Sequence, residues 1–347
     1  MRSTAAQAVA AIPMMQVGPV RLCGPEVEAE VLVPLATFET PLWPSVERGA
    51  RVTARAGGIR AVVFDERMSR SVLVTAPDAP GALQLVTFVQ AQRGELAAVA
   101  AGTSRFAQLQ DIHFEVVGHL VYIRFEFSTG DAAGHNMATR AAEALLNWIL
   151  KQRPECAYGS ISGNYCCDKK AAAVNGILGR GKYVVAEAHI PERLVARYLH
   201  TTPAKIVELT WRKNWVGTSL AGGLRSANAH FANMLLAFYL ATGQDAANIV
   251  EGSQGFTLAE ARPDGLYFSV TLPNLIVGTV GSGKGLPFVE QNLRGLGCLE
   301  QREPGANARR LALICAATVL CGELSLLAAQ TNPGELMAAH LKLERGK

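Results

Sequence analysis

The residues best placed to do chemistry gather in one stretch, 162–188. It opens Ser162-Gly163-Asn164-Tyr165-Cys166-Cys167-Asp168-Lys169-Lys170 and continues into an Ala-rich, helix-permissive run. A glycine-punctuated turn at Gly179 and Gly181 follows, then a β-branched strand at 183–186. Two lysines beside an aspartate can hold an anionic centre where a helix begins. The same triplet is equally at home as a solvated charged loop, so spacing alone leaves both readings open.

Other segments carry comparable ambiguity. Glu39 lies in an otherwise apolar segment, 33–42. A carboxylate there is either an ordinary surface group or a desolvated acid with a raised pKa. Residues 130–137, Gly-Asp-Ala-Ala-Gly-His-Asn-Met, sit between a strand and a helix. Small residues let the backbone approach a ligand, and a helix N-terminus offers free N–H groups to a phosphate. No GxGxxG occurs here, so this is not a Rossmann fingerprint. Residues 278–284 formally fit GxxxxGK, but Gly285 stands where a triphosphate loop needs Ser or Thr for magnesium. In a helix expected over 227–240, His230 and Asn233 are three apart and share a face.

The wording of these segments resembles the 3-hydroxy-3-methylglutaryl-CoA reductase family. Ser-Gly-Asn-Tyr-Cys-x-Asp-Lys-Lys with Gly-Arg-Gly-Lys downstream is similar to the family's core motif. Pro34-Leu35-Ala36-Thr37-Phe38-Glu39 is similar to its Pro-Leu-Ala-Thr-x-Glu segment, which puts a catalytic glutamate on Glu39. The resemblance further implies Lys169 as the group that stabilises charge on the carbonyl oxygen and Asp245 as the catalytic aspartate. It implies His340 as the acid that protonates the departing CoA thiolate. Ser45, Arg48, Arg51 and His200 fall on CoA-holding positions, and Arg70 and Lys213 on clamps for the substrate's free carboxylate. Ser162, Lys170 and the Asn233 amide complete the implied substrate set. Ser104, Arg105 and Phe106, with Asp131, Gly134, His135 and Asn136, fall on the dinucleotide-contacting segments. Arg105 suits a ribose 2′-phosphate. The implied reaction reduces 3-hydroxy-3-methylglutaryl-CoA to mevalonate and coenzyme A with two NADPH. The implied assembly is a homodimer or a dimer of dimers with active sites at the subunit interface. A degradative NAD-linked relative, or a non-catalytic acyl-CoA-binding one, is the alternative.

The elements that must position these residues read as an α+β fold. Residues 71–75, 113–117, 120–127 and 157–161 read as strands, with helices over 78–92 and 134–150. That order, βαββαβ, is the split arrangement of ferredoxin-like domains. A small nucleotide-binding domain over 71–159 is therefore expected, inserted into a large mixed helical and strand domain made of 1–70 and 160–347. In 120–127, Val121, Ile123, Phe125 and Phe127 share one face, and Tyr122, Arg124 and Glu126 the other.

Bulk properties agree with a packed protein: 347 residues, 49% apolar and 18% charged. The net charge of +4 suits a small anionic ligand. No basic run interleaves with aromatics, so nucleic acid is not an expected partner. The apolar run 311–322 is too short to span a bilayer, and Pro13 and Gln16 interrupt the weakly apolar start, so no membrane partner is expected. Seven cysteines without a CxxC pair read as reduced thiols of a cytoplasmic protein. No metal site is expected.

Overall fold

The computed structural model describes residues 10–344, without the side chains of 339, 340 and 342–344. Strands β1 (Met14–Cys23) and β2 (Glu28–Ala36) pair as an antiparallel hairpin. The main sheet contains β3 (Arg60–Thr75), β4 (Leu109–Val117), β5 (Leu120–Phe127), β6 (Ala157–Ser160), β7 (Gly181–Pro191), β8 (Ser226–Ala227), β9 (Gly255–Arg262) and β10 (Gly265–Leu275). Its order is β4-β5-β3-β7-β10-β9-β8, with β6 also on β3.

Strand β3 joins two hydrophobic cores. Its first part, from Arg60 to Arg67, pairs with β7, and its second, from Met68 to Thr75, pairs with β5. One core includes Val46, Val184, Phe238, Phe268 and Leu320. The other includes Val72, Leu85, Phe125, Phe127, Leu145 and Ile149. The strand expected over 71–75 is thus the end of a longer one, and the expected boundary at 70 falls inside it.

The apolar alternation of β5 holds: Val121, Ile123, Phe125 and Phe127 are all buried. Its opposite face differs from the simple two-faced pattern, because Arg124 and Glu126 are fully buried as well. They pair at 2.7 Å. The loop that follows β6 lies over them, and Arg124 donates to Tyr165 O and Asn175 Oδ1, both at 3.0 Å, and to Gly179 O at 2.5 Å. A buried charge survives only when paired and hydrogen-bonded. Here the pairing fixes the floor of the 162–179 loop.

Helix boundaries follow local chemistry. Asp78 accepts from Gly81 N at 2.7 Å and caps Ala79–Ala91, close to the expected span. A further helix, Arg93–Ala101, was not anticipated; it is Ala-rich, with Glu95 in its first turn. The helix expected over 227–240 begins later, as Phe231–Ala241. Buried Glu323 accepts the backbone N–H groups of Ala229 and His230, and Asn228 Oδ1 accepts that of Phe231, so these residues form the helix entry.

Helix Ala306–Gln330 is longer than the apolar run suggested, and by length and composition it could cross a membrane. It is instead the core helix, with 94% of its apolar window buried in the chain. Helix Leu42–Arg55 crosses it at Gly49, where a Cβ would sit 2.0 Å from Cys321 O. Only a glycine lets these backbones approach so closely.

Candidate active site

Lys169 and Asp245 come together. Lys169 Nζ lies 2.7 Å from Asp245 Oδ2. Lys169 is carried on a loop that departs from ordinary backbone three times, with φ of 59° at Asn164, 40° at Cys167 and 56° at Lys169. Asp245 follows the left-handed turn at Gly243, whose φ is 62°. Gln244 pins that turn: its amide accepts from Gly278 N at 2.9 Å and donates to Gly278 O at 3.1 Å. Asp245 Oδ1 also accepts from Ala247 N at 3.1 Å. The hydrogen bond to Asp245 raises the Lys169 pKa. Partial burial pushes Asp245 up, but the Lys169 hydrogen bond and charge outweigh it and hold the carboxyl below its usual range. The pair is therefore charged at neutral pH.

The pair faces a cleft of about 530 Å³, also lined by Arg70, Asp168, Gly134, His135, Asn136 and Lys284. Helix His135–Gln152 points its N-terminus here, launched from Gly134 at φ 95° and without a side-chain cap. Its first-turn N–H groups are open to an anion. Arg70 donates to Thr139 Oγ1 at 2.6 Å and to Ser162 Oγ at 3.5 Å, so these two expected substrate residues are neighbours. His135 Nε2 is 3.5 Å from Asp168 Oδ1. Burial, reinforced by the Arg180 charge, lowers the His135 pKa to about 4, so its ring is neutral at pH 7 and the contact is not an ion pair.

The other expected cofactor residues divide. Phe106 packs on Gly130 at the start of the loop, and Arg105 stacks over the Phe106 ring at 4.6 Å. Arg105 is exposed and has no carboxylate partner among the described residues. Ser104 Oγ accepts from Phe106 N at 3.3 Å. The Asp131 carboxylate turns away from the cleft: it accepts from Gly305 N at 3.0 Å and Ala308 N at 2.9 Å, capping the core helix. Its part is to tie the loop to that helix.

Glu39 lines a different pocket, of about 410 Å³, with Ser45, Arg48, His230, Asn233 and Glu335. Asn233 Nδ2 donates to Glu39 Oε2 at 2.9 Å. Glu39 is exposed, which is the surface alternative of its two readings. His230 and Asn233 have separate partners: His230 Nε2 meets Gly322 O at 3.0 Å. Ser45 Oγ bonds Ser325 Oγ at 3.0 Å, and Arg48 bonds Ser325 Oγ, Ser325 O and, at 2.7 Å, Glu335 Oε1. A basic pocket of about 330 Å³ adjoins it, where Arg48, Arg51 and His200 meet Arg197 and Tyr198. The expected CoA residues thus assemble; Arg197 and Tyr198 had no distinguishing signal in the sequence.

Three expected residues stand apart. Lys213 lines neither cleft; its Nζ is 3.5 Å from Asn214 Oδ1, and burial lowers its pKa. Lys170 is exposed and donates to Asp168 O at 3.1 Å. His340 falls in helix Glu335–Glu344, and its side chain lies outside the described residues. Asp111, His113 and Glu126 have metal-ligand spacing. Arginines already serve both carboxylates: Arg93 reaches Asp111 at 3.1 Å, and Arg67 and Arg124 reach Glu126 at 2.5 and 2.7 Å. The cluster reads as an ion network.

An ammonium–carboxylate pair sharing a cleft with an open helix N-terminus can stabilise negative charge on an oxygen beside a bound anion. Comparison with known proteins narrows the class. The family model for hydroxymethylglutaryl-coenzyme A reductase matches residues 6–345. The 3-hydroxy-3-methylglutaryl-coenzyme A reductase of Pyrococcus abyssi is 44% identical over 340 residues, covering 97% of this chain and 83% of that protein. The enzyme of the same name from Aeropyrum pernix is 44% identical over 337 residues, covering 96% and 80%. Among solved structures, the class II reductase of Streptococcus pneumoniae bound to NADPH superposes with a TM-score of 0.74 at 21% identity, covering 95% of this chain and 88% of that one. The chain belongs to the hydroxymethylglutaryl-coenzyme A reductase family.

Proposed function

We propose that Lys169 and Asp245 form the catalytic centre at which this chain reduces 3-hydroxy-3-methylglutaryl-CoA to mevalonate and coenzyme A. The observation that carries the assignment is the 2.7 Å pair in the cleft opposite the helix N-terminus. When bound, NADPH would supply the hydride for each of the two reductions. The residues present fit it: open first-turn N–H groups at His135 and Asn136, and an exposed Arg105 stacked beside the loop. The Lys169 ammonium stabilises charge on the thioester oxygen and later on the aldehyde oxygen. Asp245 keeps that amine protonated and aimed. His340 gives a proton to the departing thiolate, and Glu39 delivers the proton that ends as the alcohol. Two hydrides and two protons convert the thioester to an alcohol and a thiol.

We further propose that Glu39 works in the site of a second copy. Its carboxylate is exposed and lines another pocket than Lys169, so a homodimer or dimer of dimers with shared sites would bring them together. Residues 71–159 form the proposed ferredoxin-like insertion, between segments 1–70 and 160–347. The sheet order β6-β3-β5-β4 and the separate core support it. A cytoplasmic, membrane-free setting completes the reading, supported by burial of the core helix in its own chain.

Hybrids test the shared site. Glu39→Gln and Lys169→Ala chains, each nearly inactive alone, should regain up to about a quarter of wild-type mevalonate formation when co-folded, because one hybrid site keeps both groups. No recovery in confirmed hybrids would refute sharing.

A further inference from the structure

Arg180 and Glu251 have no part in the chemistry above, yet Glu251 accepts the Lys169 backbone N–H and Arg180 binds the Asp168 side chain just before it. Arg180 is 1% exposed and Glu251 fully buried. Isolated charges do not stay buried without partners, so what these two hold is informative. Arg180 sits between Gly179 and Gly181, both at φ 90°. It donates to Asp168 Oδ1 at 2.6 Å and to Ser69 O and Oγ at 2.6 and 3.2 Å. Glu251 approaches from the other side, in the short helix Ile249–Gly252 that follows Asp245. Its Oε1 accepts the backbone N–H of Lys169 at 3.1 Å and Asn248 Nδ2 at 3.0 Å. Arg180 Nε lies 3.7 Å from the same oxygen.

The bonded groups define what the cluster does. Lys169 is held at φ 56°, a left-handed backbone that a lysine keeps only when its surroundings over-determine it. Its N–H is fixed by Glu251, and the Asp168 side chain just before it by Arg180. In the extended backbone region the lysine side chain would leave in another direction. Neither Arg180 nor Glu251 lines the cleft. We propose that Glu251 and Arg180 are positioning residues, which lock the Lys169 backbone in its left-handed conformation and so aim the ammonium at Asp245. This rests on the reading of Lys169 as the carbonyl-polarising group.

The test compares Glu251→Leu, Glu251→Gln and Arg180→Lys in the full chain, measuring kcat, KM for both substrates, NADPH Kd by fluorescence, and melting. Glutamine keeps an oxygen that can accept the Lys169 N–H; leucine does not. Glu251→Leu should lower kcat about 10²-fold, the scale of a misplaced catalytic group, with both KM values and the NADPH Kd within about threefold. Glu251→Gln should return kcat to within about fivefold of wild type. Arg180→Lys, which keeps charge but loses the fork, should lower kcat about tenfold at constant KM. A folded Glu251→Leu with near-native kcat overturns the proposal, as does a glutamine variant no better than leucine. If Glu251→Leu does not fold, near-native kcat in Arg180→Lys overturns it. Failure of the underlying reading looks different: Lys169→Ala would then stay active while the Glu251 variants lost activity.

Discussion

Replacing Lys169 with alanine removes the ammonium that meets Asp245 at 2.7 Å. A donor aimed at a developing oxyanion contributes about 2.7–4 kcal/mol, or about 10²–10³ in kcat. Each hydride step places negative charge on oxygen, so reduction of the thioester and of added mevaldehyde should both fall by that factor. Stability should hardly change. The two side chains are 41% and 46% exposed, and an exposed ion pair contributes at most about 1 kcal/mol. The NADPH Kd should stay within a few-fold, because the open helix N-terminus remains. The assay is kcat with each substrate alongside NADPH fluorescence titration and a melting curve. Near-native rates on both substrates would refute the reasoning and move the electrophile elsewhere. Lys170 would be the first place to look, although it is exposed and turned to Asp168 O.

Three further outcomes are expected. His340→Gln should slow thioester reduction about 10²-fold and leave mevaldehyde reduction within a few-fold, since only the thioester expels a thiolate; equal losses in both assays would reject the leaving-group role. Arg105→Ala should reduce kcat/KM for NADPH at least tenfold more than for NADH, and an unchanged cofactor ratio would discard Arg105 as the 2′-phosphate partner. His135, with a native pKa of about 4 against 6.5, should make stability pH-dependent. Between those values the unfolded chain binds more protons, so the contribution is complete above pH 6.5 and is lost as pH falls toward 4, by up to about 3 kcal/mol. Denaturant melts of wild type and His135→Gln across that window check it, and parallel pH profiles would contradict it.

Local chemistry made much of the fold legible in the sequence. Asp78 before Pro80, and the alternation of Val121, Ile123, Phe125 and Phe127, led to the observed helix and strand because each element is set by near neighbours. Burial by distant segments was not legible. Arg124 and Glu126 fall on the face opposite the apolar one, and nothing in the alternation showed that the 162–179 segment would cover them. Nothing in the 227–240 pattern showed that Glu323, far along the chain, would capture two backbone N–H groups and delay the helix. At the site, the wording around Asp168, Lys169 and Lys170 was informative where spacing was not. Arg180 lay in plain view within Gly-Arg-Gly-Lys, yet its role appears only once Asp168 and Ser69 are seen against it. Glu251 carried no local signal, because its bond to Lys169 N joins segments remote in sequence.

The most direct measurement counts NADPH against product. Purified chain, saturating 3-hydroxy-3-methylglutaryl-CoA and NADPH are followed by absorbance, with mevalonate and free thiol quantified from the same reaction. Two NADPH oxidised and one thiol released per mevalonate formed is the expected stoichiometry. Well-folded protein that oxidises no NADPH, or oxidises it without forming mevalonate, would contradict the proposed reaction at the Lys169–Asp245 centre.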